Sequence, residues 1–295
     1  MRYAPHELIV APGRKRPELW RLVVGLVTAW MLAMLLVRGL SALASLVMSE
    51  EGYTRLAVSV ELGASPSGVI ALLVLMGCLG AGAMLAAELI QKRRASSLFG
   101  PRRLAVWQFW TVLKALALLQ IIVFVLPSGE HVEFEAGHDL RPWVFLLPLT
   151  FAALLLQTGA EEVLFRGYLQ SQMAARFSHP LIWLTVPSAL FAVGHYAPEY
   201  YGANAWLVTV WSFVFGLAAA DLTARSGTLG PAIALHLVNN FMAIAVTSIQ
   251  GDMSGLALWI YPFDPSDTSA LRGLLPLDLM LIAVSWLAAR VALRL

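Results

Sequence analysis

Eight stretches of this chain are apolar over roughly the twenty residues that a helix needs to cross the ~30 Å hydrocarbon core of a bilayer. They run over about 20–37, 67–90, 104–126, 142–164, 180–196, 205–222, 229–249 and 274–293. Helix punctuation brackets several of them. Pro142 and Pro180 sit near segment starts, and Ser226-Gly227-Thr228 precedes Gly230-Pro231 at the seventh. A first-turn proline forfeits no hydrogen bond, because its missing N–H had no partner there. The expected fold is all-α, a polytopic integral membrane bundle of about eight transmembrane helices. Composition agrees: 59% of residues are hydrophobic and 13% charged, against about 25% charged in an average soluble domain.

Loop charges separate into two sets, which sets an orientation by the positive-inside rule. Arg2, Arg14, Lys15, Arg16 and Arg21 precede the first segment; Lys92, Arg93, Arg94, Arg102 and Arg103 fill the second loop; Arg176, Arg225, Arg290 and Arg294 follow in alternate loops and at the end. The intervening loops carry Glu50, Glu51 and Glu61, then Glu130, Glu133, Glu135 and Asp139, then Glu199, then Asp252, Asp264 and Asp267. Both termini are expected in the cytoplasm, with the protein in the cell (inner) membrane. Ala42-Leu43-Ala44 resembles a signal-peptide cleavage site, but Arg38 interrupts the approach to it, so a retained helix is the expectation. A net charge of +2 gives no reason to expect nucleic acid as a partner. The single cysteine, Cys78, permits no intramolecular disulfide and reads as a small core- or lipid-facing residue.

The chemistry lies between 142 and 250. Glu161 and Glu162 end the fourth apolar segment, and Arg166 follows four residues after Glu162, on the same helical face. Arg166 should hold Glu162 and leave Glu161 facing elsewhere, which makes Glu161 the candidate general base. Rescue of a dead Glu162→Arg variant by Arg166→Glu would support that pair, and no rescue would count against it. The bland alternative is a pair of solvated acids at the helix end. His195 closes Phe191-x-x-x-His195, with Tyr196, Tyr200 and Tyr201 nearby as an aromatic belt, so an interfacial role competes with a catalytic one. His236 and Asn240 share one face of the seventh helix and can donate towards a common oxyanion; interhelical bonding is their bland reading. Asn239 lies on a neighbouring face. Lys114, in mid-segment, is expected in a structural ion pair or a wet cavity. Asp221 and Asp278 read as solvated acids at helix ends. There is no His-Glu-x-x-His and no Gly-x-Ser-x-Gly.

In this order and on separate helices, Glu-Glu-x-x-x-Arg, Phe-x-x-x-His and His-x-x-x-Asn resemble the motifs of the CPBP (CAAX protease and bacteriocin-processing, or Abi) intramembrane proteases, the type II CAAX prenyl endopeptidase family. Gly227 to Ile233 is also similar to that family. The resemblance covers about 142–250, and divides the chain into N-terminal membrane helices (1–130), a catalytic core (142–250) and a final loop and helix (251–295). It implies an intramembrane chamber open to the cytosol and glutamate-dependent hydrolysis of a peptide bond in a membrane-embedded or lipid-anchored substrate. By that likeness Glu161 with His195 activates water, His236 and Asn240 stabilise the oxyanion, and Glu162, Arg166 and Phe191 support them. No cofactor is expected, and zinc at His195, His236 and Glu161 is a minor possibility. A non-catalytic membrane scaffold or sensor and a small-molecule transporter are the competing classes; the absence of an internal repeat weighs against the transporter.

Overall fold

A computed structural model describes residues 3–126, 134–251 and 253–295. Of the loop charges, Arg2, Glu130, Glu133 and Asp252 fall outside them. The chain begins with short turns, Ala4–His6, α1 (Glu7–Val10) and Ala11–Lys15, and then enters the long helix α2 (Leu19–Val47). Next come α3 (Glu50–Leu62), α4 (Pro66–Met76), α5 (Cys78–Leu89), α6 (Arg102–Val125), β1 (Glu135–Ala136) and α7 (Leu140–Glu162). A π-helical segment, Val163–Gln170, carries α7 directly into α8 (Ser171–Arg176). The remainder is α9 (Pro180–Val193), α10 (Pro198–Tyr201), α11 (Ala205–Ser226), α12 (Gly230–Asn240), a second π-helical segment (Phe241–Val246), β2 (Thr247–Ile249), β3 (Trp259–Tyr261) and α13 (Thr268–Leu293).

Among the described residues, six helices are long and apolar enough to cross a membrane: Leu19–Val47, Pro66–Leu89, Arg102–Val125, Leu140–Arg176, Pro198–Ser226 and Thr268–Leu293. Pro180–Val193 and Gly230–Val246 are shorter apolar helices. All eight apolar stretches of the sequence are therefore helical, and the protein is a multi-pass membrane helical bundle. Local chemistry sets the boundaries. Ser65 accepts a hydrogen bond from Gly68 N ahead of a first-turn Pro66, and Asp267 accepts from Ser269 and Ala270 N at the start of α13. Gly227, at φ 73°, closes α11 in the left-handed region that favours glycine.

Small residues bring the helices close. Gly82, Ala83, Ala86 and Ala87 of α5 are buried, as are Ala29 and Ala33 of α2, and a Cβ on Gly82 would stand 2.2 Å from the Ala29 carbonyl oxygen. Such close approach is how helices gain packing contact where lipid removes the hydrophobic drive. Cys78 is buried at the start of α5. α2 runs without a break through Ala42–Ala44.

The N-terminal turns fold back under one end of the bundle. Ile9 and Val10 are buried in the cluster that holds Val163, Leu169 and Met173. Tyr3 donates to Asp221 at 2.7 Å, and Arg225 and Trp286 donate to the same carboxylate at 2.6 and 3.0 Å. Asp221 is thus a pinned anchor that ties the N-terminus, α11 and α13 together, and not the solvated acid its position suggests. At the opposite end lies a three-stranded sheet of order β1-β3-β2. There β1 pairs antiparallel to β3 (Glu135 opposite Ile260) and β2 parallel to it (Ser248 opposite Ile260).

Two further expectations change. Asp278 sits ten residues into α13, not at a helix end; the apolar stretch begins after its polar first turns, so counting from the stretch misplaces the acid. Lys114 lies on the exposed side of α6, and no ion pair reaches it among the described residues. Val112 and Leu116, both fully buried, turn the other face of that helix inwards.

Candidate active site

Glu161 and Glu162 are the last residues of α7, but the helix does not stop there. It passes through the π-helical turns to Arg176, so both carboxylates lie in mid-span and are buried. They are not solvated acids at a helix end. Glu161 stands fifteen residues before Arg176, and His195 fifteen after Pro180. At about 1.5 Å per residue the two sit at similar heights above the turn that joins their helices. A fourth helix of ordinary length would have separated them.

Glu162 is the most constrained residue of the cluster. Arg166 Nη1 donates to its Oε1 at 2.9 Å, and His236 Nδ1 meets the same oxygen at 2.8 Å. All three side chains are buried, Arg166 and Glu162 completely. The second guanidinium nitrogen, Nη2, donates to the Gly216 carbonyl at 3.3 Å, and Cζ lies 4.7 Å from the Phe191 ring centroid. A cation over an aromatic face is attracted by the ring quadrupole. Gly216 makes this possible: a Cβ there would stand 2.9 Å from the Ser188 side chain, so glycine lets α11 and α9 close around the arginine.

His236 presents its other nitrogen to Glu161, with Nε2 3.5 Å from Oε2. That oxygen is buried and has no hydrogen-bond partner among the described residues. The imidazole is therefore anchored at Nδ1 by Glu162 and faces the second carboxylate with Nε2. Phe215 and Phe191 pack on the ring, with centroids 4.9 and 5.9 Å away.

His195 joins the site through Phe191, whose ring lies 4.5 Å from the imidazole. Its Nδ1 is 2.9 Å from the Phe191 carbonyl oxygen. A carbonyl only accepts, so Nδ1 carries the hydrogen and, in the neutral ring, Nε2 keeps the lone pair. The structure gives no contact between His195 and Glu161; the histidine beside Glu161 is His236. His236 and Asn240 each have their own partners on α7. The Asn240 amide donates to Gln157 Oε1 at 3.0 Å and its oxygen accepts from Asn239 at 3.3 Å. His236 and Asn240, one turn apart on α12, thus meet Glu161 and Gln157, one turn apart on α7.

Two members escaped sequence reasoning. Gln157 is buried four residues before Glu161 on the same face, a polar residue in an apolar run that signalled its place. Phe215 carried no signal, since nothing marks which aromatic of α11 meets the histidines. Among the described residues, no three His, Cys, Asp or Glu side chains are grouped so as to hold a metal ion.

Residues 142–242 match the family described as type II CAAX prenyl endopeptidase Rce1-like. The matched stretch contains every residue of the cluster above. Among curated proteins, the chain is 26% identical over 184 residues to the uncharacterized protein YyaK of Bacillus subtilis (strain 168), covering 59% of this chain. The chain spans 60% of the length of that relative. No solved structure matches. From Pro142 to Met242, then, this membrane bundle is similar to the family described as type II CAAX prenyl endopeptidase Rce1-like.

Proposed function

We propose that the protein is an intramembrane endopeptidase in which Glu161 activates water against a peptide bond of a membrane-embedded or lipid-anchored substrate. The observation that carries this reading is the His236 ring held between two buried carboxylates, one of them fixed by Arg166. In this reading a water donates one hydrogen to Glu161 Oε2, next to His236 Nε2. Glu161 takes that proton as the water oxygen bonds to the carbonyl carbon. Collapse of the tetrahedral intermediate breaks the C–N bond, and the proton passes by way of Glu161 or His236 to the leaving nitrogen. Glu162 is a positioning residue: it fixes the tautomer and plane of His236, as second carboxylates do for catalytic imidazoles. His195 offers Nε2 as a further acceptor beside the same Phe191. Asn240 supplies an amide N–H for the oxyanion once substrate displaces Gln157 from it.

The loop charges support cytoplasmic termini and a place in the cell membrane. No cofactor is needed by this chemistry, and prenylation of the substrate is not implied by any residue of the cluster.

The test is isotopic. The purified protein in nanodiscs is incubated with a library of apolar peptides in H₂¹⁸O. Hydrolysis places one ¹⁸O in each new C-terminal carboxylate, and that label should vanish with Glu161→Gln. If no peptide gains ¹⁸O with the unaltered protein, or the label persists with Glu161→Gln, the glutamate-protease reading fails and a non-catalytic membrane protein becomes the better account.

A further inference from the structure

Beside the carboxylate cluster lies a cavity of about 470 Å³, bounded by α6, α11, α12, the second π-helical segment, β2 and α13. Phe215, which packs on His236, forms part of its wall, as does Asn239, which bonds to Asn240. The cavity is therefore continuous with the residues that flank the site. Most of its lining is apolar, from Leu116 and Leu235 to Ile282, as suits an apolar guest.

One side chain does not suit such a guest. Asp278 lines the cavity from the interior of α13, about 15 Å along the helix from Thr268. Among the described residues it has no ion pair and no hydrogen-bond donor. A nearby group feels its charge: burial first, and the Asp278 carboxylate second, push the Tyr261 phenol above its ordinary range. An acid at membrane depth is costly, and where one occurs it faces a cavity or a partner of opposite charge. This one is exposed where it lines the cavity and has no partner of opposite charge among the described residues. The same wall holds Ser248 in the middle of β2, and among the described residues β2 is an edge strand, paired with β3 alone. An edge strand offers main-chain hydrogen bonds to an added extended segment.

The geometry points to a specificity site: the cavity takes an extended, apolar peptide segment bearing one basic side chain, lysine or arginine, whose charge Asp278 reads. The inference deepens the protease reading and rests on it for the meaning of the bound peptide as substrate. The binding itself has its own observations, namely the unpaired acid, the edge strand and the wall shared with Phe215 and Asn239. A peptide is favoured over a free amine because the acid and a strand edge line the same space.

Binding separates this proposal from catalysis. The full chain carrying Glu161→Gln, in nanodiscs of phosphatidylcholine and phosphatidylglycerol, is titrated with a fluorescent apolar peptide containing a single lysine. Versions with norleucine or glutamate in its place are titrated alongside, all read by anisotropy. The lysine peptide should bind about tenfold more tightly than the norleucine one, the size of one charge-assisted contact. Asp278→Asn should erase that preference, and Asp278→Lys should transfer it to the glutamate peptide. The near-isosteric Asn variant keeps the test open if Asp278→Lys fails to fold. An unchanged lysine preference in Asp278→Asn overturns the proposal. So does loss of the preference when phosphatidylethanolamine is added, which would assign the carboxylate to a lipid amine. A charge preference without ¹⁸O incorporation by the catalytically intact protein keeps the binding site and removes the protease reading; hydrolysis without a charge preference does the reverse.

Discussion

At the scale of single residues, the cluster is built around one carboxylate oxygen with two donors. Glu162 Oε1 holds both Arg166 and His236. Arg166 in turn holds the Gly216 carbonyl and covers Phe191. These added partners change what a charge exchange should do. With Glu162→Arg and Arg166→Glu together, a carboxylate returns to the pair but at the wrong position for His236, and the guanidinium leaves Phe191. The double variant should remain inactive, and its stability should fall by roughly 3–5 kcal/mol, the usual cost of breaking a buried pair. Thermal unfolding in nanodiscs and ¹⁸O incorporation check this; full rescue would show that the pair acts alone. The two histidines should also differ. His236→Gln loses the group beside Glu161 and should abolish cleavage, whereas His195→Gln keeps that contact and should leave measurable turnover. Equal loss in both variants would return His195 to the side of Glu161.

At the scale of elements, close helix approach decides where these groups meet. Gly216 lets α11 lie against Ser188 of α9 while its carbonyl receives Arg166. Gly216→Ala forces the two helices apart and should cost roughly 1–3 kcal/mol as an overpacking change. Cleavage should fall more steeply than stability, because the displaced carbonyl is an Arg166 partner; a variant with unchanged melting and turnover would refute the role given to this contact. The helices themselves were legible. Eight apolar stretches gave eight helical segments, because lipid leaves the backbone little else. Four-residue spacing likewise put Arg166 with Glu162. The extension of α7 to Arg176 was not legible: Arg166, Gln170 and Gln172 look like the polar end of a membrane helix, yet each is buried against a neighbouring element. The partners of His236 were equally hidden, since spacing within one helix says nothing about which carboxylate another helix delivers. The short strands and the α3 helix escaped for a related reason. They lie in loops, where no long apolar period announces them.

At the scale of the whole molecule, the N-terminal turns tie the end that carries both termini into one unit. His6 is buried against Trp183, 4.8 Å between ring centroids, and burial lowers its pKa to about 4. The nearby Glu7 and Arg14 charges act in opposite, smaller senses. The folded pKa lies below the unfolded value of 6.5, so the unfolded or detached segment binds the proton more readily. Docking is therefore complete above about pH 6.5 and is weakened as pH falls towards 4, by roughly 3 kcal/mol at the limit. The hydrogen-exchange protection factors of residues 4–15, which are corrected for the intrinsic pH dependence of exchange, should fall between pH 7.5 and 5 in the unaltered protein and change much less in His6→Phe, which keeps a ring against Trp183. An equal loss of protection in both would place the pH response elsewhere. All of this serves one claim, that a bundle closed at that end by its own N-terminus holds a glutamate able to cut peptide bonds within the membrane. The most direct measurement compares the new peptide termini in membranes of cells making the unaltered chain with those in cells making Glu161→Gln at equal abundance. The account predicts a set of termini, within or beside apolar segments, that is present with the first and missing with the second. Identical termini in the two membranes would contradict it.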